Sequence, residues 1–252
     1  MRRAHQQAGG RVRFDWSVQG ADAIAGDADV TVVVDVLSFT TTVTVAAEAG
    51  MTVIPYRWGD RAGAERLAVE RGAVLAVGRS AAGAGQPSLS PLSIRTMPPA
   101  RRLVLPSPNG STLAHRLTGG GRTCLAACLR NATATAQWIS ACHGADHATI
   151  AVLAAGERWS DGSLRQAVED LWGAGAVISA LRATGWTALS AEAVSAAVAY
   201  DAVRGHELEA LLSCVSGHEL VDGGFAGDVE VAAELDSSTA VPCLIDDQFV
   251  PG

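Results

Sequence analysis

The stretch Val32-Val33-Val34-Asp35-Val36-Leu37-Ser38-Phe39-Thr40-Thr41-Thr42 constrains the fold more than any other part of the chain. A continuous β-branched run suits a strand covered on both faces, which belongs in a parallel sheet with helices on either side. Asp35 ends that run, at the edge where open α/β sheets hold their ligands. The hydroxyl-rich turn behind it opens a helix, whose unpaired N–H groups suit an anion. A carboxylate beside an anion nest makes chemical sense when a divalent cation bridges them. The same spacing also allows a plainer arrangement, in which Asp35 caps the helix and the threonines only pack and cap.

The pattern recurs. Leu103-Val104-Leu105 is followed by the polar turn Ser107-Pro108-Asn109-Gly110-Ser111-Thr112, a short helix over 113–117, glycines at 119–121 and a strand over 123–128. Asn131-Ala132-Thr133 then caps a helix to about residue 143, with a strand at 148–153 behind it. Between the first two instances lie a strand at 53–56, an amphipathic helix over 60–71 stopped by Gly72, and a strand at 73–77. These repeated strand–polar turn–helix units predict a three-layer α/β fold with a mixed, mostly parallel sheet. A flexible tail over residues 1–11 would precede one α/β domain over 12–252, with two intertwined similar halves as the alternative.

Four further segments carry expectations. Residues 20–29 read as a connector of small and acidic residues, and residues 78–99 as a long irregular segment that is functional or packed over a site. Ser163 reads as the N-cap of a helix over 164–183, which puts Glu169 about 9 Å along the axis from the cap. Helices at 191–204 and 207–212 and a strand at 241–245 complete the chain.

Charge narrows the chemistry. The net charge is −7, and all 19 basic residues are arginine. The acidic balance argues against nucleic-acid or anionic-membrane partners. Without lysine there is no P-loop lysine and no Schiff base, so a phosphate grip falls to arginine forks, hydroxyls, backbone amides or a metal. An odd cysteine count, no secretory signal and no apolar run of membrane-spanning length predict a soluble cytoplasmic protein. Alanine-rich helices with few charges suit a homo-oligomer. Cys124, Cys128, Cys142, His143 and His147 lack the spacing of a familiar zinc site.

The succession Asp35-Val36-Leu37 with Thr40-Thr41-Thr42, then Asn109-Gly110-Ser111, then Glu169-Asp170 with Gly173-Ala174-Gly175-Ala176, resembles the 2-phosphosulfolactate phosphatase family. Gly224-Phe225, Asp228-Val229 and Val241-Pro242 extend the likeness from roughly Val12 to Phe249. The resemblance implies a Mg²⁺-dependent α/β hydrolase acting on the phosphate ester of a small hydroxy acid. The chain departs from the family at Ser38-Phe39, where an arginine and a small residue are usual, and at Val77-Gly78-Arg79, which keeps an arginine but loses an acid.

On this reading Asp35, Asp170 and Glu169 are catalytic, and Asp35 with Asp170 holds Mg²⁺. Glu169, or Asp161 and Glu157 in the preceding loop, are the other choices for the second carboxylate. Ser38, Thr40, Thr41, Arg79, Asn109, Gly110 and Ser111 would bind the ester. The alternatives are a catalytically impaired homologue that binds a small anion, and a phosphatase of a different phosphorylated acid.

Overall fold

The valine run becomes β2 (Val30–Val34), buried at every position. Val32 pairs in parallel with Val152 on one side and Leu125 on the other. The computed structural model describes residues 3–83, 85–118 and 122–252. Met1 and Arg2 of the expected tail, and the glycines at 119–121, lie outside the described residues.

In chain order the strands are β1 (Val12–Trp16), β2, β3 (Thr52–Arg57), β4 (Val74–Leu75), β5 (Arg102–Ser107), β6 (Thr123–Ala127), β7 (Ile150–Ala154), β8 (Glu157–Arg158), β9 (Leu164–Arg165), β10 (Cys243–Ile245) and β11 (Gln248–Val250). The helices are α1 (Ser17–Ile24), α2 (Phe39–Glu48), α3 (Arg61–Arg71), α4 (Pro91–Thr96), α5 (Gly110–Leu117) and α6 (Ala132–Cys142). They continue with α7 (Val168–Ala183), α8 (Ala191–Asp201), α9 (Glu207–Ser213), α10 (Val215–Asp222) and α11 (Ala226–Ala232).

Among the described residues nine strands form one sheet in the order β1-β7-β2-β6-β10-β11-β3-β5-β4. Two parallel blocks make up most of it, β1-β7-β2-β6 and β3-β5-β4. Three antiparallel steps, β6 to β10, β10 to β11 and β11 to β3, join them, so the blocks run in opposite directions. The junction is narrow: Cys243 pairs with Leu125, and Phe249 with Val53. Phe39, at the start of α2, meets Phe249 edge-on at 6.1 Å and packs with Val53, Leu103 and Leu105 of the second block. Burying two aromatic rings there adds apolar area and a favourable edge-to-face contact. The observed architecture is the three-layer α/β arrangement that the repeated units predict.

Two local expectations give way. The connector over 20–29 begins instead with α1, whose Ala21 and Ile24 pack on Val33, Leu113 and Leu153. The helix is short, and Gly20 in its middle hides it from propensity, but the glycine is needed: a Cβ there would sit 2.7 Å from that of Asp15. The long helix does not start at Ser163. Residues 157–165 form the β8–β9 hairpin, with Asp161 accepting from Ser163 N at 2.9 Å and Gly162 at φ 82°, and α7 starts only at Val168. Asp-Gly is a hairpin turn signal, and here it outranks the capping potential of serine.

The segment over 78–99 contains α4 and lies against α2, with Thr42 donating to the Leu89 carbonyl. At the chain's start, Gln7 donates to the Phe14 carbonyl at 2.7 Å and accepts from Phe14 N. No described helix is long and apolar enough to cross a membrane.

Candidate active site

Asp35 leaves the end of β2 with its carboxylate almost fully buried (7% exposed). Its Oδ1 accepts from Phe39 N at 3.0 Å, and its Oδ2 accepts from Gly110 N at 2.9 Å. The first N–H opens α2 and the second opens α5, so one carboxylate ties together the polar turns of both sheet blocks. Gly110 is required by this approach. A Cβ on it would stand 2.3 Å from the Phe39 ring and 2.7 Å from Asp35 Oδ2. Phe39, one of the two departures in the first turn, is thus the partner that makes Gly110 necessary.

Glu169 and Asp170 lie in the first turn of α7, where the helix dipole favours negative charge. Asp170 Oδ1 accepts from Val36 N at 2.7 Å and Oδ2 from Gly156 N at 2.8 Å, which pins the chain leaving β2 to the chain leaving β7. Glu169 is 2% exposed, and near it lies the buried Cys214 thiol, which donates to the Leu211 carbonyl at 3.2 Å. Burial, with Glu169 next to it, pushes that thiol up to about 12. Glu157, on β8, accepts from Asn109 Nδ2 at 2.8 Å.

Burial and neighbouring charge raise three of these acids. Burial pushes Asp35 up to about 6 against the pull of its two N–H donors, and the charge of Glu169 adds to the rise. Asp170 is pushed well above the carboxylate range by burial, then by Asp35 and Glu169. Glu157 rises to about 7, from burial and the charge of Asp35.

The positive side is built differently. Arg79 Nε donates to Asp228 Oδ2 at 2.8 Å, and Nη2 donates to Ser38 Oγ. Its guanidinium lies 5.9 Å from the centre of the Phe225 ring. Asp228, on α11 and buried, also accepts from Ser90 Oγ. The fork is held from two sides, and Nη1 has no hydrogen-bond partner among the described residues. Arg79 and Glu157 line one cleft of about 360 Å³ together with Leu37, Ser216 and Phe225.

Several expected ligands are engaged elsewhere. Thr40 Oγ1 bridges the N–H and carbonyl of Asp35, Thr41 Oγ1 donates to the Val36 carbonyl, and Ser111 Oγ donates to the Leu105 carbonyl. All three are fully buried. Their hydroxyls knit the turns, while Ser38 meets Arg79, Asn109 meets Glu157 and Gly110 meets Asp35. Asp161 caps its own hairpin turn. Sequence reasoning did not single out Ser90 as a holder of Asp228, nor Arg165, which faces Glu157 across the hairpin and reaches Ser216 Oγ at 3.3 Å. Asp228 was visible only through the family likeness.

Oxygen donors of this kind suit a hard cation such as Mg²⁺, which needs only one or two carboxylates besides water and phosphate. Among the described residues no group of three or more His, Cys, Asp or Glu is arranged to hold a metal. Any cation held here would take most of its ligands from water and substrate, with one or two carboxylates from the protein.

An α/β sheet with buried carboxylates, a pre-set arginine fork and helix-opening amides where the strand ends of its two blocks meet has the parts of a phosphate-ester hydrolase. Residues 20–247 match the family model described as 2-phosphosulpholactate phosphatase, and the chain belongs to that family. A protein of Deinococcus radiodurans described as a probable 2-phosphosulfolactate phosphatase is 31% identical over 232 residues, covering 88% of this chain and 90% of the relative.

Proposed function

We propose that the chain hydrolyses the phosphate monoester of a small hydroxy acid, of the 2-phosphosulfolactate type, with Mg²⁺ as cofactor. The observation that carries this reading is Asp35, a buried carboxylate held by the amides of both turns and crowded by other acids. Asp35 would hold the cation together with Glu169 or Asp170. Of the two, Glu169 has the freer oxygens, since both of Asp170 already accept backbone N–H groups. When bound, Mg²⁺ would neutralise the acids and draw charge from the phosphoryl oxygens.

The protein's own part is positioning. Nη1 of Arg79, fixed by Asp228, takes a phosphate oxygen by a charge-assisted bond. Ser38 and the helix-opening amides complete the grip. Water forms the new P–O bond as the ester P–O bond breaks. Glu157, whose raised affinity for a proton suits work near neutral pH, gives its proton to the departing alkoxide and takes one back from the water that has joined the phosphate.

The test is phosphate release from 2-phosphosulfolactate by wild type and Asp35→Asn, with and without Mg²⁺. Release that needs both the metal and Asp35 supports the reading; equal inertness of both proteins removes it. One observation favours the anion-binding alternative: both Asp35 oxygens already accept hydrogen bonds. In that case the ester binds to wild type and is recovered intact.

A further inference from the structure

Beside the Arg79–Glu157 cleft lies a second one of about 350 Å³, and the two share Trp58, Gly78 and Ser80 in their walls. It opens at the C-terminal ends of β3, β4 and β5, the edge where α/β sheets take ligands. Pockets for whole small molecules begin at roughly 300 Å³, so this second space far exceeds what the remainder of a three-carbon acid needs. Its floor is apolar, from Leu75, Val77 and Pro106. Trp58 stands at the boundary with half its surface exposed (53%).

The charges around this cleft are unequal. Asp60 accepts from Tyr56 Oη at 2.8 Å and from Gly63 N at 2.9 Å, and Arg61 pairs with Glu65 at 2.8 Å. Arg57, the last residue of β3, has no ion pair among the described residues. It is in register with Ser107, two residues before the Asn109-Gly110 turn. In a chain without lysine, an exposed guanidinium next to an apolar floor and an indole suits an anion carried on an apolar body, with Asp60 the acid in the same wall.

We propose that the side cleft seats the leaving-group end of the substrate, and that this end has an apolar midsection terminating in a carboxylate or sulfonate read by Arg57. The proposal rests on the hydrolase reading for its orientation: phosphate at Arg79, tail past Trp58, anion at Arg57.

Two esters isolate the tail: 4-carboxyphenyl phosphate and phenyl phosphate, which differ only in the distal carboxylate. A charge-assisted contact predicts about a tenfold preference in kcat/KM for the carboxylated ester. In Arg57→Gln the ratio of the two kcat/KM values falls to near one. A wild-type ratio near one, or a ratio unmoved by Arg57→Gln, overturns the proposal. Binding of 4-carboxyphenyl phosphate, followed by quenching of tryptophan fluorescence that Trp58→Phe removes, separates this proposal from the hydrolase reading. Arg57-dependent binding without turnover keeps the subsite and removes the hydrolase. Turnover with no Arg57 dependence does the reverse, and neither binding nor turnover removes both.

Discussion

The two banks of the site handle charge in opposite ways. The chain following β2 and β7 brings Asp35, Glu157, Glu169 and Asp170 together, and burial and mutual repulsion lift three of them. The opposite bank, following β4 and β5, brings one arginine already balanced by the buried Asp228. A balanced bank is ready before anything arrives. The acid bank is not, because like charges in a low-dielectric place cost free energy until protons or a cation compensate them. The difference supports placing the proposed cation beside Asp35 and not beside Arg79.

Substitutions can break this contrast, and the largest effect is expected on the acid bank. Asp35→Asn should lower Mg²⁺-dependent phosphate release by about a thousandfold, since the charge at the strand end is lost. Circular dichroism should still report a folded chain. Next comes Asp228→Ala on the balanced bank, which strands a partly buried guanidinium and should cost about 3 kcal/mol in chemical denaturation. Because the fork loses its anchor, KM should rise more than kcat falls. Gly110→Ala attacks the amide shared by both banks: the added carbon meets Phe39 and Asp35, for a loss of about 2 kcal/mol.

The smallest effect sharpens the contrast through pH. Glu157 holds its proton up to about 7, above the ordinary carboxylate value, so its penalty is absent in acid and grows as pH rises toward that value. Metal-free Glu157→Gln should therefore match wild type near pH 4 and exceed it near pH 8 by on the order of 1–2 kcal/mol. Thermal unfolding at the two values checks this, and the same variant should flatten the basic limb of the rate profile.

Much of this arrangement was legible before any coordinates. The valine run, the single acid at its end and the repeated polar turns outlined the layers and pointed to Asp35 and Asn109-Gly110, while Arg79 was reached only through the family likeness. Strand and helix periods are local, so one sequence suffices to read them. The direction of the second block was not legible, because it depends on two short strands near residues 243–250 that pair with distant partners. Thr40, Thr41 and Ser111 show a second limit: a hydroxyl at a helix start serves either a ligand or a nearby carbonyl, and the residue type is the same in both cases. The β8–β9 hairpin was hidden because two-residue strands carry no periodicity. With it went the placement of Glu169, which stands at a helix start and not in its middle.

The hairpin that links the two parallel blocks has a consequence for how the protein is made. Residues 243–250 are synthesised after both blocks have left the ribosome, yet among the described residues they are the strands that join β6 to β3 within the sheet. Until they arrive, each block presents an open strand edge, a template for pairing with other chains. Nascent protein should thus be most prone to self-association just before its final strands emerge, and most dependent then on a chaperone that covers those edges.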